Sequence, residues 1–400
     1  QRSAVLDQMV RQEGSVVSGF TAQQDLLQQA QAALGENITS SSSSTSSTAT
    51  ESGLSSSIDA FFNAFENLAA NPTDEGAQET VVEQAGVLTD RFQEIDQNLA
   101  QVQSSASAQV TSGVGSANTL LQNIATLNSQ IASFEANDPG SAVDLRDQRE
   151  GDLEQLAGLL PVTVTENAQG EDTVTATAGS GPVTLVSAGT VSNALSFSSG
   201  TIKAGSTALS LASGSLAGSL TASTGAVQSL RASLNALAGQ IVTAVNSAYN
   251  PSATTGGNFF LSTGTTAGTI ALDPGLSTAT LRAGTGPAGD NSIATAVANV
   301  ANQQFSTSGG DDIDGTIDAF YGDTASNIGQ AVDTANTQVT DQTNVQTIVS
   351  NQRASVSGVS LDEEMSHLMT YQTAYQASSE LFSTINTLLG DLITNLTSSS

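Results

Sequence analysis

A single histidine, His367, limits the chemistry this chain can do. A Ser-His-Asp relay would have to be built on it, and a helical His-x-x-x-His zinc pair needs two. His367 falls in a long helical pattern, one residue beside an apolar seam, where a partly exposed structural side chain is expected. Gly284-Thr285-Gly286-Pro287-Ala288-Gly289 has the glycine spacing of a dinucleotide loop. That chemistry needs a parallel βαβ unit and an acid after the next strand. A Ser/Gly/Asp loop and another helix follow instead, so the glycines read as a return loop between two segments. Asp311-Asp312-Ile313-Asp314-Gly315 hints at a calcium loop. With Asp314 at position five, position one is Gly310 and position twelve is Tyr321, and neither supplies a carboxylate. These aspartates are expected to cap a helix start, where anions are favourable. Asp362, Glu363 and Glu364 are adjacent on a helix and point in different directions, which suits a first turn better than an acid–base pair. Tyr371 and Tyr375, at i and i+4, read as knobs against a neighbouring helix rather than an aromatic cage. No catalytic, cofactor-binding or metal-binding residue is assigned, and no enzymatic activity is expected.

The stronger signal is the seam itself. Leu361 opens a helical pattern that continues through Leu368, Tyr371, Tyr375, Ser378, Phe382, Ile385, Leu389, Leu392 and Leu396 at alternating steps of three and four. All but Ser378 are apolar or aromatic, which is an a/d repeat over four heptads. Such a helix runs roughly 55 Å. A narrow stripe on so long a helix cannot bury itself, so the pattern predicts a partner helix and marks these residues as an assembly seam.

Composition narrows the function classes. The 38 acidic residues against 9 basic ones give a net charge of −29, and Lys203 is the sole lysine. A polyanion of this kind does not neutralise phosphates, so neither nucleic acid nor an anionic membrane is expected as a partner. The absence of cysteine excludes disulfides and thiolate chemistry. No apolar run reaches about 18 residues, so no membrane insertion is expected, and no cleavable signal peptide is visible. Opening on Gln1-Arg2 rather than Met, the sequence reads as a fragment.

Periodicity predicts helix over 5–34, with Leu6, Val10, Val17, Phe20, Leu27 and Leu34 on one side. A Ser/Thr run at 39–50 reads as a surface insertion. A second helix carries Leu54, Ile58, Phe61, Phe65 and Leu68 and ends at Asn71-Pro72. The longest pattern covers 74–136, with one seam at Leu88, Phe92, Ile95, Leu99 and Val102. A second lies at Leu120, Ile124, Leu127, Ile131 and Phe134, and Gly113 and Gly115 sit between them. A shorter helix is expected over about 143–160. From Pro161 the pattern alternates as strands, for example Val162-Thr163-Val164-Thr165. Helix returns at 226–248, strands are expected again over 258–283, and helices over 291–304 and 313–352. The fold class predicted is α+β: a long-helix bundle, an inserted antiparallel β domain and a C-terminal coiled-coil helix. The expected domains are 1–160 and 291–354 as two halves of an α-rich domain, 161–290 as the β-rich insertion, and 355–400 as the coiled-coil helix.

The wording of the C-terminus adds to this. Ser355-Val356-Ser357-Gly358-Val359-Ser360-Leu361-Asp362-Glu363-Glu364, followed by Tyr371-Gln372-Thr373-Ala374-Tyr375-Gln376-Ala377-Ser378, resembles the C-terminal signature of the bacterial flagellar axial proteins. Within them it is most similar to the family of first hook-associated proteins, which join hook to filament. Asp147-Gln148-Arg149-Glu150, Val245-Asn246, Phe259-Phe260 and Gly289-Asp290-Asn291 echo the same family. The resemblance implies an extracellular structural junction protein, exported by the flagellar secretion apparatus. It implies a ring built from copies of itself, with the β segment outside and a coiled coil of both termini inside. The implied partners are the hook protein, the second junction protein and an export chaperone. It also places the family's N-terminal seam helix outside this chain. The rival readings are another axial component (flagellin, hook protein or second junction protein) and a secreted adhesin.

Overall fold

The structure is a computed structural model that describes residues 3–35, 53–253, 257–357 and 361–398, with the side chains of 357, 361–364 and 393–398 left undescribed. The Ser/Thr run at 39–50 lies outside the described residues. Nine α-helices are described: α1 (Ala4–Ala33), α2 (Leu54–Ala70), α3 (Glu75–Phe134), α4 (Val143–Leu159), α5 (Ser215–Thr221), α6 (Val227–Tyr249), α7 (Ser292–Val300), α8 (Ile317–Ser357) and α9 (Leu361–Ser398). Between α4 and α5 lie seven strands: β1 (Val162–Glu166), β2 (Asp172–Ala178), β3 (Gly181–Ser187), β4 (Thr190–Val191), β5 (Leu195–Ser198), β6 (Thr201–Ala204) and β7 (Thr207–Ala208). They form two antiparallel sheets, β1-β2-β3-β4 and β5-β6-β7. The class is α+β. Two compact units are present, one of residues 1–9 with 347–400 and one of 10–346.

In the larger unit the helical patterns become cores. On α2 the 4-3-4-3 positions Leu54, Ile58, Phe61, Phe65 and Leu68 are all buried. Asp74 caps α3 by accepting the Gly76 N–H at 2.9 Å, and the helix runs 60 residues without a break. Its first seam, Leu88 to Val102, belongs to a helical core shared with α2, α6, α7 and α8. At that core's centre Phe61, Phe65, Tyr249, Phe259 and Phe260 pack at ring separations of 4.9–5.7 Å. The second seam of α3 passes into another core, made with α4 and both sheets, in which Val110, Leu121 and Ile124 meet Val174, Leu185, Val186 and Ile202. Gly113 and Gly115 therefore lie just past the change of core, inside an unbroken helix, and do not mark a helix end.

The strand content is smaller than the sequence pattern suggests. The ladders end at Ala208, and the stretch 258–283 holds only the bridge Phe260↔Leu272. Two backbone bonds, Leu261 N to Ala271 O and Asp273 N to Phe259 O, start a hairpin there. Gly264 and the Asp273-Pro274-Gly275 turn then divert the chain before a ladder forms. Helix α6, within the segment expected to be β-rich, buries its apolar face in the helical core.

In the smaller unit α9 is helical throughout, and Asp7 and Arg353 approach to 3.7 Å.

Candidate functional site

The groupings that invited chemistry are occupied by internal bonds. In the glycine loop, the Asp290 carboxylate takes the place a phosphate would fill: it accepts the Gly286 N–H at 2.6 Å, the Ser292 N–H at 3.0 Å and the Ser292 hydroxyl at 3.0 Å. Those bonds, from the Gly286 N–H first, hold Asp290 below the usual carboxylate range. Gly284 is required because a Cβ there would lie 2.4 Å from Asp290 Cγ. The loop thus caps α7 from within.

The aspartates at 311–314 stitch their own loop. Asp314 accepts the Thr307 N–H at 2.8 Å, Asp311 accepts the Ser306 N–H at 2.9 Å, and the Asp312 N–H donates to Gln240 Oε1 at 2.7 Å. The helix cap expected of them is made instead by Thr316, whose hydroxyl oxygen accepts the Ala319 N–H at 3.2 Å. The reason is register: Thr316 directly precedes α8, whereas the aspartates lie two or more residues upstream of that cap.

The Asp147-Gln148-Arg149-Glu150 motif builds a buried polar staple. Arg149 on α4 donates Nε–H to Asp172 Oδ2 at 2.9 Å, and its Nη1 donates to Asn128 Oδ1 and Gly170 O, both at 2.7 Å. Asn128, fully buried on α3, donates to the carbonyls of Asp172 and Ala188 at 2.7 Å each. Burial pushes the Asp172 carboxyl up to about 6 against the pull of Arg149, and burial lowers the Arg149 guanidinium. Glu150 pairs with Arg11 of α1. At the α3–α4 turn, Arg146 grips Glu135 through two bonds of 2.8 Å, and the Ala142 N–H adds a third at 3.1 Å. Those bonds, with the Arg146 pair foremost, bring Glu135 down to about 2. The motif holds the first sheet on two helices, and the sequence pattern alone did not disclose that role.

Helix α9 is the remaining candidate. Every side chain described on it, from 365 to 392, is exposed. The seam residues Leu368, Tyr371, Tyr375, Phe382, Ile385, Leu389 and Leu392 lie along one helix face at exposures of 43–78%. Leu361 and Leu396 are helical, but their side chains are outside the described residues. Large apolar side chains that the seam reading missed flank it: Met365, Met369, Leu381 and Leu388, all above 60% exposed. Leu381 and Leu388 each precede an a-position residue, and this offset was the available signal. His367 is exposed on the same helix. Among the described side chains Glu380 and Asp391 are its only acids, and α9 has no lysine or arginine anywhere. An apolar stripe of this length on a polar helix is suited to helix–helix association. Among the described residues no helix is long and apolar enough to cross a membrane.

The comparisons with known proteins bear on the same regions. The family model for the helical domain of the flagellar hook-associated protein FlgK matches residues 43–260. The C-terminal model of the flagellar basal body rod FlgEFG proteins matches residues 350–396, which hold most of α9. Relatives named flagellar hook-associated protein 1 include one from Bacillus subtilis (strain 168), 26% identical over 180 residues that cover 44% of this chain and 32% of that protein. One from Salmonella typhimurium is 29% identical over 112 residues, 27% of this chain and 20% of the relative. One from Escherichia coli (strain K12) is 40% identical over 73 residues, 18% and 13% of the two. The chain thus spans about a third or less of the length of these relatives. Among solved structures, the flagellar hook junction protein FlgK from Burkholderia pseudomallei superposes with a TM-score of 0.53 at 23% identity, over 64% of this chain and 46% of that one. It shows the same fold.

Proposed function

We propose, from the premise that this chain belongs to the FlgK family of flagellar hook-associated proteins, that it is a structural subunit of the bacterial flagellum that joins hook to filament. The family model covering more than half of the chain supports the premise. The observation that carries the function is the bare apolar stripe of α9, in the segment that also matches the rod and hook C-terminal model. Seven large side chains held in water cost stability unless another helix covers them. Copies of the chain stack into a ring through this seam, one face toward the hook protein and the other toward the second junction protein. A chaperone keeps the exposed stripe from aggregating before export through the flagellar apparatus to the cell exterior. The segment 161–290 lies on the outside of the ring, and 355–400 lies inside. The role is mechanical, and no reaction is assigned to it.

The test uses Phe382→Asp and Leu389→Asp. Neither side chain is in a core, so thermal unfolding of residues 10–346 stays within about 0.5 kcal/mol of the parent. In a strain lacking the gene, both variants fail to support filament growth, because a charge buried in a seam without a partner is costly. Normal swimming by both would remove the seam from assembly.

A further inference from the structure

The two hydrophobic cores of the larger unit meet at a waist. On α3 the first core ends at Ala106 and the second begins at Val110. The neighbouring α5–α6 run is antiparallel to α3: Arg231 pairs with Asp96 at 2.8 Å, Gln103 Nε2 donates to Ser223 O at 3.3 Å, and Gly113 packs on Leu216. Leu216 belongs to the second core and Ala222 to the first, so both helices change core at one level.

Three departures from regular packing coincide there. Helices α5 and α6 are joined by a π-helical turn, Ala222–Ala226, which is a one-residue insertion in an α-helix. Opposite it, α3 reads Ser104-Ser105-Ala106-Ser107-Ala108 and then Ser112-Gly113-Val114-Gly115-Ser116. The Ser107 and Thr111 hydroxyls bond back to the carbonyls four residues earlier at 3.1 and 2.9 Å, as Thr80, Thr119 and Thr126 also do on α3, so what is particular to this level is the run of small residues. Helix α1 meets α5 here backbone to backbone, since a Cβ on Gly218 would sit 2.0 Å from the Gly19 carbonyl oxygen. Beside the π-turn, a cleft of about 150 Å³ opens between α6 and α8, lined by Ala226, Leu230, Asn327 and Ile328.

We propose that this waist is a hinge, about which the sheet-bearing half swings against the helical half. Close-packed interiors resist deformation, so each core moves as a body. Bending concentrates where few large side chains interlock and where glycine, serine and a π-turn interrupt the α-helical ladder. Gln103 is the restraint: its amide holds the Ser223 carbonyl and accepts from Arg231 Nη1 at 2.7 Å, so one side chain ties α3 to the π-turn itself and to α6 beyond it.

The chain has no cysteine, so paired spin labels can be placed freely. Asp90→Cys with Ser198→Cys places one exposed label on the helical half and one on the second sheet, off the axis of α3, so that a swing at the waist changes their separation directly. Glu79→Cys with Gln101→Cys is the control pair, within one core and about 33 Å apart. Double electron–electron resonance on the full chain is expected to give a distance distribution about twofold broader across the waist than within the core. Gln103→Ala broadens it further, and amide exchange at 104–116 and 219–227 rises about tenfold while both cores keep their protection. Gly115→Ala, whose added methyl meets nothing within 4 Å, strengthens the helix and narrows the distribution. A distribution as narrow as the control, unmoved by either substitution, overturns the hinge.

Discussion

Helices α3 and α9 carry apolar stripes of the same period, and their fates differ completely. On α3 the stripe from Leu88 through Val102 is buried, and Phe92 is wholly inaccessible. On α9 the equivalent stripe stands in water, with Phe382 at 69% exposure. The residue types are alike, so the difference lies in the partners. Helix α3 finds α2 and α6 in one core, then α4 and both sheets in the next. A repeat identifies what must be covered. It does not identify which surface covers it, and an exposed repeat on a well-formed helix points outside the unit that carries it.

The largest effect that can break this comparison is a matched pair of truncations. Phe92→Ala removes a fully buried ring and is expected to cost about 3–5 kcal/mol in urea unfolding. Phe382→Ala removes a ring of the same size from an exposed face and should cost less than about 0.5 kcal/mol. Equal costs would mean that α9 is packed within the chain after all, and its stripe would then no longer point outward.

A second contrast concerns how the sequence discloses buried groups. The α2 pattern and both α3 seams were readable, because apolar spacing reports directly on a buried face. Phe134 is the exception: it continues the second seam but is 64% exposed at the end of α3. Polar anchors gave no such signal. Asn118 on α3 donates to Leu195 O and accepts the Leu195 N–H, both at 2.8 Å, and so acts as a short extra strand for β5. Asn246 on α6 does the same for Phe259 and Phe260, with bonds of 2.9–3.0 Å. Their partners lie 13 to 77 residues away on other elements, so no single periodic pattern contains both ends. The pairs Val245-Asn246 and Phe259-Phe260 were visible as separate family echoes. Their meeting was not, because it depends on how a non-repetitive loop returns to a helix. Asn118→Ala would leave a strand N–H and C=O unpaired, and the expected loss is about 1–3 kcal/mol. Amide exchange at Leu195 should rise in that variant while 81–102 keeps its protection. Unchanged exchange would show that water replaces the side chain.

The smallest effect in ordinary buffers is on pH, and it sharpens the same comparison because both responsible groups belong to the larger unit. Glu135 lies at about 2 in the fold, held down first by Arg146 and then by backbone N–H groups. Its pKa is depressed from 4.5, so the stability it supplies is complete above about 4.5 and is lost as pH falls toward 2. Asp172 has the opposite sign. Burial raises it from 3.8 to about 6, so the folded chain binds a proton more tightly than the unfolded chain between those values. Its contribution is present below 3.8 and is lost as pH rises through about 6. The unfolding midpoint of the larger unit should therefore rise on acidification from pH 6 to about 4.5, level off to about 3.8 where the two slopes oppose, and fall below it. Glu135→Gln should flatten the acid limb, and Asp172→Asn should flatten the slope above it. Helix α9 presents His367, Glu380 and Asp391 among its described side chains, all exposed, so Phe382→Ala should leave the whole profile in place. A profile that changed with Phe382→Ala but not with Glu135→Gln would place the acid-sensitive contact on α9 and reverse the assignment.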